Sequence, residues 1–102
     1  MYFQIRGSTA VARFQADAAA LAAIQAEYQT AGRIYRPLVT LYTTADPVVP
    51  YWHETLYAQK AAASHSDNLL TQLPVFRYGH CNFTSTDVLV GFLLLVLNPL
   101  TQ

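Results

Sequence analysis

Apolar positions follow helical spacing in the first third of the chain. Residues 9–31 are rich in alanine, the residue with the highest helix propensity. Their larger apolar side chains recur at helical intervals and form one stripe: Val11, Phe14, Leu21, Ile24 and Tyr28. The pattern predicts a helix over residues 9–31, with Gly32 as a left-handed C-terminal cap.

Two later segments have the pattern of buried strands. Residues 37–43 are nearly continuous in apolar and β-branched side chains, and so is the core of residues 69–78. A helix is predicted between them, over residues 52–64. The run of apolar side chains over residues 86–97 predicts a closing helix, preceded by a capping box in which Asp87 replaces the usual Glu or Gln.

The resulting order is helix, strand, helix, strand, helix. Such alternation predicts the α/β class, with a small parallel sheet flanked by helices. The 102 residues suffice for one small domain. We assign residues 9–102 to that domain and residues 1–8 to an N-terminal extension or a remnant of an expression vector.

Composition narrows the possible partners. Six basic residues balance six acidic ones, which gives no electrostatic basis for binding nucleic acid or an anionic membrane. The apolar run at residues 88–97 spans ten positions, half of the ~20 that a membrane-spanning helix needs. Hydrophobic residues reach 53% and charged residues only 12%, about half the usual share. This imbalance predicts surface that is covered by another chain, either a second copy in a homodimer or a complementing partner.

Two titratable residues follow the predicted strands. Asp46 comes just after the first strand and His80 just after the second. Ligands and catalytic groups of open α/β sheets collect at the carboxyl ends of the strands. An acid there can accept a hydrogen bond from the histidine Nδ1–H and stabilise the imidazolium that forms in acyl transfer. Asp46 followed by Pro47 is also compatible with a simple turn cap.

The two segments together resemble the end of an α/β-hydrolase. A strand followed by Asp46-Pro47-Val48-Val49-Pro50, and a later strand followed by Gly79-His80-Cys81, are similar to the acid and histidine segments of that family. The resemblance covers roughly residues 10–97. It implies a partial α/β-hydrolase fold, with Asp46 as the acid and His80 as the histidine of a serine esterase or peptidase. No cofactor is implied.

The nucleophile of that family has no counterpart here. The family carries a Gly-x-Ser-x-Gly elbow upstream of the acid, and the four serines of this chain lie in other contexts: Ser8, Ser64, Ser66 and Ser85. We therefore predict the acid- and histidine-bearing segment of a serine hydrolase acting on ester or amide bonds, inactive as an isolated chain. The alternative is a non-catalytic, self-assembling module derived from a hydrolase.

Other candidate sites have weaker patterns. Cys81 next to His80 suggests a thiol–imidazole pair, but adjacent residues of an extended loop point apart, which favours a packing role for Cys81. The spacing of His53, His65, His80 and Cys81 matches no zinc pattern. Trp52 and His53 form a possible wall beside the Asp46 loop, although a Trp at a helix start more often belongs to the core.

Overall fold

The computed structural model of the chain describes residues 12–98. The assigned N-terminal extension, residues 1–8, lies outside this range. The elements, in chain order, are helix α1 (Ala18–Glu27), strand β1 (Leu38–Ala45), helix α2 (Trp52–Ala63), a 3-10 turn (Asp67–Leu69), strand β2 (Leu70–Tyr78) and helix α3 (Ser85–Leu97).

β1 and β2 form a two-stranded parallel sheet, which confirms the α/β class. The register runs from Leu38 opposite Leu70 to Thr43 opposite Val75. An irregularity between Thr43 and Ala45 then sets Ala45 opposite Tyr78. Parallel neighbours need a crossover connection, and α2 lies within that connection. The carboxyl ends of both strands therefore lie at the same end of the sheet.

The helices α2 and α3 lie on opposite faces of the sheet. On one face, the Thr40 hydroxyl donates to Glu54 Oε2 of α2 at 2.7 Å, and Gln72 Nε2 donates to the same oxygen at 2.8 Å. On the other face, Gly91 of α3 is buried against Leu41. Successive strand residues point to opposite faces, so Thr40 and Leu41 separate the two layers.

The first helix is much shorter than its alanine content predicts. Residues 12–17 are not helical, because the Asp17 carboxylate caps a helix that begins at Ala18 by accepting from the Ala20 amide at 3.0 Å. The helix ends at Glu27 rather than at residue 31. Two carbonyls past that end accept other hydrogen bonds instead, Thr30 from Lys60 Nζ of α2 and Ala31 from the hydroxyl of Ser64, the residue that follows α2. Residues 9–11 of the predicted helix lie outside the described range.

The predicted apolar stripe of α1 is also not buried. No residue of this helix is buried, and Phe14, which the stripe included, precedes the helix and is 95% exposed. Alanine surrounds Leu21 and Ile24 on all sides, so the helix has no distinct apolar face to pack. Gly32 does adopt a left-handed backbone (φ 70°), but it contacts α2 and does not cap α1.

The core within residues 12–98 is small. Its buried hydrophobic side chains are Ala61 and Val75, joined by the buried polar residues Thr43 and Ser66. Most large apolar side chains of α3 remain substantially exposed. None of the helices in the described range combines the length and apolarity required to span a membrane.

The N-terminus of α3 is held by the predicted capping box. The Thr84 amide donates to Asp87 Oδ2 at 2.7 Å, and the Asp87 amide donates to the Thr84 hydroxyl at 3.2 Å. Arg77 of β2 adds an ion pair to the same carboxylate at 2.7 Å. The Arg77 hydrogen bond, followed by the one from Thr84, lowers the pKa of Asp87 to about 2. Because the pKa is depressed in the fold, this contribution to stability is complete above about pH 4 and is lost as the pH falls towards 2.

Candidate functional site

Asp46 immediately follows β1 and organises the turn after it. Its Oδ1 atom accepts hydrogen bonds from the amides of Val48 at 2.7 Å and Val49 at 3.0 Å. This is the turn-capping arrangement that Asp favours before Pro47. Since Oδ1 is occupied in this way, the second oxygen, Oδ2, is held facing away from the turn.

His80 lies two residues past the end of β2, and Gly79 connects it to the sheet. The Gly79 amide donates to the Ala45 carbonyl at 3.1 Å, which extends the strand pairing by one step. The Gly79 carbonyl accepts a short hydrogen bond from the buried hydroxyl of Thr43. Both contacts tie the residue before His80 to the end of β1, next to Asp46.

The two predicted site residues form a direct hydrogen bond. His80 Nδ1 and Asp46 Oδ2 lie 2.8 Å apart, which confirms the predicted proximity. The Asp46 side chain is 10% exposed, whereas that of His80 is 46% exposed. The carboxylate is thus sheltered beneath an imidazole that solvent reaches. We refer to Asp46 and His80 as the dyad.

The charge state of Asp46 determines which tautomer of the His80 imidazole is favoured. Desolvation raises the pKa of Asp46, but hydrogen bonds from the Val49 amide, from His80 and from the Val48 amide outweigh it, so the pKa lies below the ordinary 3.8. The carboxylate is therefore ionised at neutral pH and can only accept a hydrogen bond. Nδ1 must donate, which leaves Nε2 of a neutral ring as an acceptor.

Cys81 is not the packing residue that its sequence context predicts. It is exposed, and its Sγ lies 3.6 Å from Nε2 of His80. The expectation that neighbouring side chains diverge was wrong because Cys81 has a left-handed backbone (φ 51°) and the loop is not extended there. A positive φ is uncommon for a residue other than glycine, so no sequence signal identified this contact.

Hydrogen bonds hold the loop that carries His80 and Cys81 at both of its ends. Arg77 donates to the Asn82 carbonyl at 2.7 Å, and Asn82 Nδ2 donates to the Tyr78 carbonyl at 2.9 Å. The Phe83 amide closes a tight turn onto the Cys81 carbonyl at 2.9 Å. The loop is therefore fixed to β2, the strand that precedes it, and through Arg77 to α3.

The aromatic residues at the start of α2 lie on the surface. Trp52 is 44% exposed and stacks on His53, with ring centroids 3.9 Å apart, so of the two roles left open by the sequence it does not take the core one. Tyr42 and Tyr51 form a second, tilted pair with centroids at 5.6 Å. Tyr51, Trp52 and His53 follow the Asp46 turn in sequence, whereas Tyr42 precedes it in β1. No hydrogen bond within residues 12–98 links these rings to the dyad.

The other candidate groups do not meet the dyad. Ser64 and Ser66 lie shortly before the start of β2, and they form hydrogen bonds with the backbone of residues 31 and 34. Nine strand residues of about 3.3 Å each separate that end of β2 from His80. Across residues 12–98, no serine hydroxyl bonds to His80. No group of three or more His, Cys, Asp or Glu side chains in this range is placed to hold a metal ion.

Comparison of the chain with protein-family models, with curated proteins and with solved structures gave no match.

Proposed function

We propose that this chain is the acid- and histidine-bearing segment of a serine hydrolase that acts on ester or amide bonds. The observation that carries the proposal is the 2.8 Å contact between Asp46 and His80 at the carboxyl ends of two adjacent parallel strands. Such sheet ends are where α/β proteins gather catalytic groups. The likeness of the two motifs to an α/β-hydrolase ending supplies the reaction class.

In the proposed reaction, His80 acts first as a general base and then as a general acid. Its Nε2 removes the proton from a serine hydroxyl during attack on the substrate carbonyl, and returns it to the leaving group. Asp46 holds the ring in the required tautomer and stabilises the imidazolium. Removal of this orienting carboxylate lowers kcat by roughly 10⁴-fold in the best-studied serine protease, even when the geometry survives.

The nucleophile must come from another segment, because no serine of the described residues reaches His80. We expect the chain alone to be unreactive towards a fluorophosphonate probe, which labels activated serines. Translation of the DNA upstream of Met1 in the same frame would then contain a strand, Gly-x-Ser-x-Gly and a helix.

The test is to express that longer reading frame through Gln102 and label it with the same probe. We expect one serine, in the elbow, to react, and we expect labelling to fall at least about 100-fold in His80→Ala. His65→Asn is the matched control, since it removes an exposed histidine remote in sequence from the dyad. Labelling of a serine within this chain alone, or equal labelling of the longer protein and its His80→Ala variant, would refute the proposal.

A second candidate function is a self-assembling module without catalysis. The observation that favours it is the exposure of apolar side chains on α3, including Leu89 at 66% and Phe92 at 63%. Contiguous apolar surface of this kind usually marks an interface. Under this alternative the dyad is a remnant, and the upstream reading frame would contain no nucleophile elbow.

A further inference from the structure

We propose that Cys81 is a nucleophile in its own right, activated by His80 and able to take an acyl group from small activated esters. The juxtaposition that carries this inference is a continuous series of contacts, from Asp46 Oδ2 through both nitrogens of His80 to Cys81 Sγ. It depends on the geometry of the dyad and not on the proposed relation to serine hydrolases.

Each nitrogen of the His80 ring has one partner of the appropriate kind. Nδ1 contacts Asp46 at 2.8 Å, and Nε2 contacts Cys81 Sγ at 3.6 Å. A nucleophile within reach of a base, with the base oriented by a third group, is the signature of an activated side chain. The third group is sheltered, with 10% of the Asp46 side chain exposed, so solvent competes little for the hydrogen bond that orients the ring.

The proton and electron transfers balance without any further reactant. Because Nδ1 donates to Asp46, Nε2 carries a lone pair and accepts the Sγ proton. The resulting thiolate attacks the ester carbonyl carbon, a C–S bond forms, and the C–O bond to the aryl oxide breaks. The imidazolium returns its proton to the aryl oxide, so thiol and aryl ester become thioester and phenol. Water then hydrolyses the thioester to a carboxylic acid and the free thiol.

Accessibility limits the class of acyl donor. Cys81 is exposed and the His80 side chain is 46% exposed, so a carbonyl can approach both from solvent. The cavity of about 270 Å³ between β2 and α3 is lined by other residues, among them Leu73, Phe76 and Val90. Within residues 12–98 that cavity does not include the thiol, and the exposure of Cys81 favours small, activated acyl groups over long or branched ones.

The experiment uses p-nitrophenyl acetate and the whole chain. Intact mass after brief exposure is expected to increase by one acetyl group, and peptide mapping is expected to place it on Cys81, the single cysteine. Positioned general bases contribute about 10²–10⁴-fold. With His80 half exposed, we expect His80→Ala to slow acetylation at least about tenfold. Cys81→Ser should abolish the thioester, and His65→Asn should react like the wild type.

Circular dichroism and a second histidine variant test whether misfolding, and not loss of the base, causes the slower acetylation. His80→Gln retains a polar side chain at this exposed position but removes the base, and it should react as slowly as His80→Ala while giving the wild-type spectrum. Acetylation of Cys81 at the same rate in wild type and His80→Gln would overturn the proposal, and so would an adduct on another residue. These outcomes leave serine labelling of the longer reading frame untouched, so the two proposals fail independently.

Discussion

The purified chain is expected to form dimers or larger assemblies at micromolar concentration. The outward side of α3 carries four apolar residues at the spacing i, i+3, i+4, i+7, each about half exposed or more: Leu89, Phe92, Leu93 and Val96. Gly91 lies on the opposite side of the helix, and that side packs on β1. Covering the exposed part of each side chain contributes about 1 kcal/mol of transfer free energy, or roughly 8 kcal/mol over two copies, which offsets the entropic cost of association.

Light scattering behind a sizing column, over a dilution series, measures this association. We expect Leu89→Lys with Leu93→Lys to raise the dimer dissociation constant at least about tenfold, since both charges would have to be desolvated at the interface. Leu21→Lys with Ile24→Lys is the matched control, because it places the same charges on α1, whose residues are not buried. A monomer at all concentrations, with cooperative thermal unfolding, would show that the chain completes its own core.

Gly32→Ala is expected to destabilise the fold by about 2–4 kcal/mol, a large part of the stability of a small domain. A Cβ atom at this position would lie 2.4 Å from the Lys60 carbonyl carbon and 2.6 Å from the Ala61 nitrogen, both backbone atoms of α2. The left-handed φ of 70° adds about 1–2 kcal/mol for any residue with a Cβ. The segment must then move away from α2, with loss of the Lys60–Thr30 hydrogen bond.

Urea unfolding followed by circular dichroism measures that free energy. Gly91→Ala is the matched control: its Cβ would meet the flexible end of Leu41 at 3.4 Å, and alanine is favoured within a helix by up to about 1 kcal/mol. We expect this control to be neutral or slightly stabilising. Equal free energies of unfolding for Gly32→Ala and the wild type would mean that the segment does not dock on α2.

The sheet could be predicted because its signals are local. The nearly continuous apolar runs of β1 and β2, each ended by a turn, indicated both strands, and the parallel order placed their ends together. The proximity of Asp46 and His80 follows from that placement. The capping box of α3 was equally predictable, since Thr84 and Asp87 satisfy each other's backbone without help from distant residues.

The boundaries of α1 could not be predicted from alanine content. The helix propensity of alanine is similar along residues 9–31, whereas the contacts that end the helix are made by particular residues. Asp17 stops the helix on one side, and carbonyl contacts to Lys60 and Ser64 replace helical bonds on the other. The Cys81 contact escaped prediction for a related reason. The backbone torsion of one loop residue decides whether its side chain meets His80, and nothing in the residue type specifies it.

Nitrogen NMR of the imidazole rings tests the dyad most directly. At a pH of about 8, where ordinary histidines are neutral, long-range ¹H–¹⁵N correlations report which ring nitrogen carries the proton. We predict a fixed Nδ1–H tautomer for His80, lost in Asp46→Asn, and tautomer averaging for the exposed His65 in both proteins. An Nε2–H tautomer at His80, or a His80 signal unchanged by Asp46→Asn, would contradict the hydrogen bond on which the proposed chemistry rests.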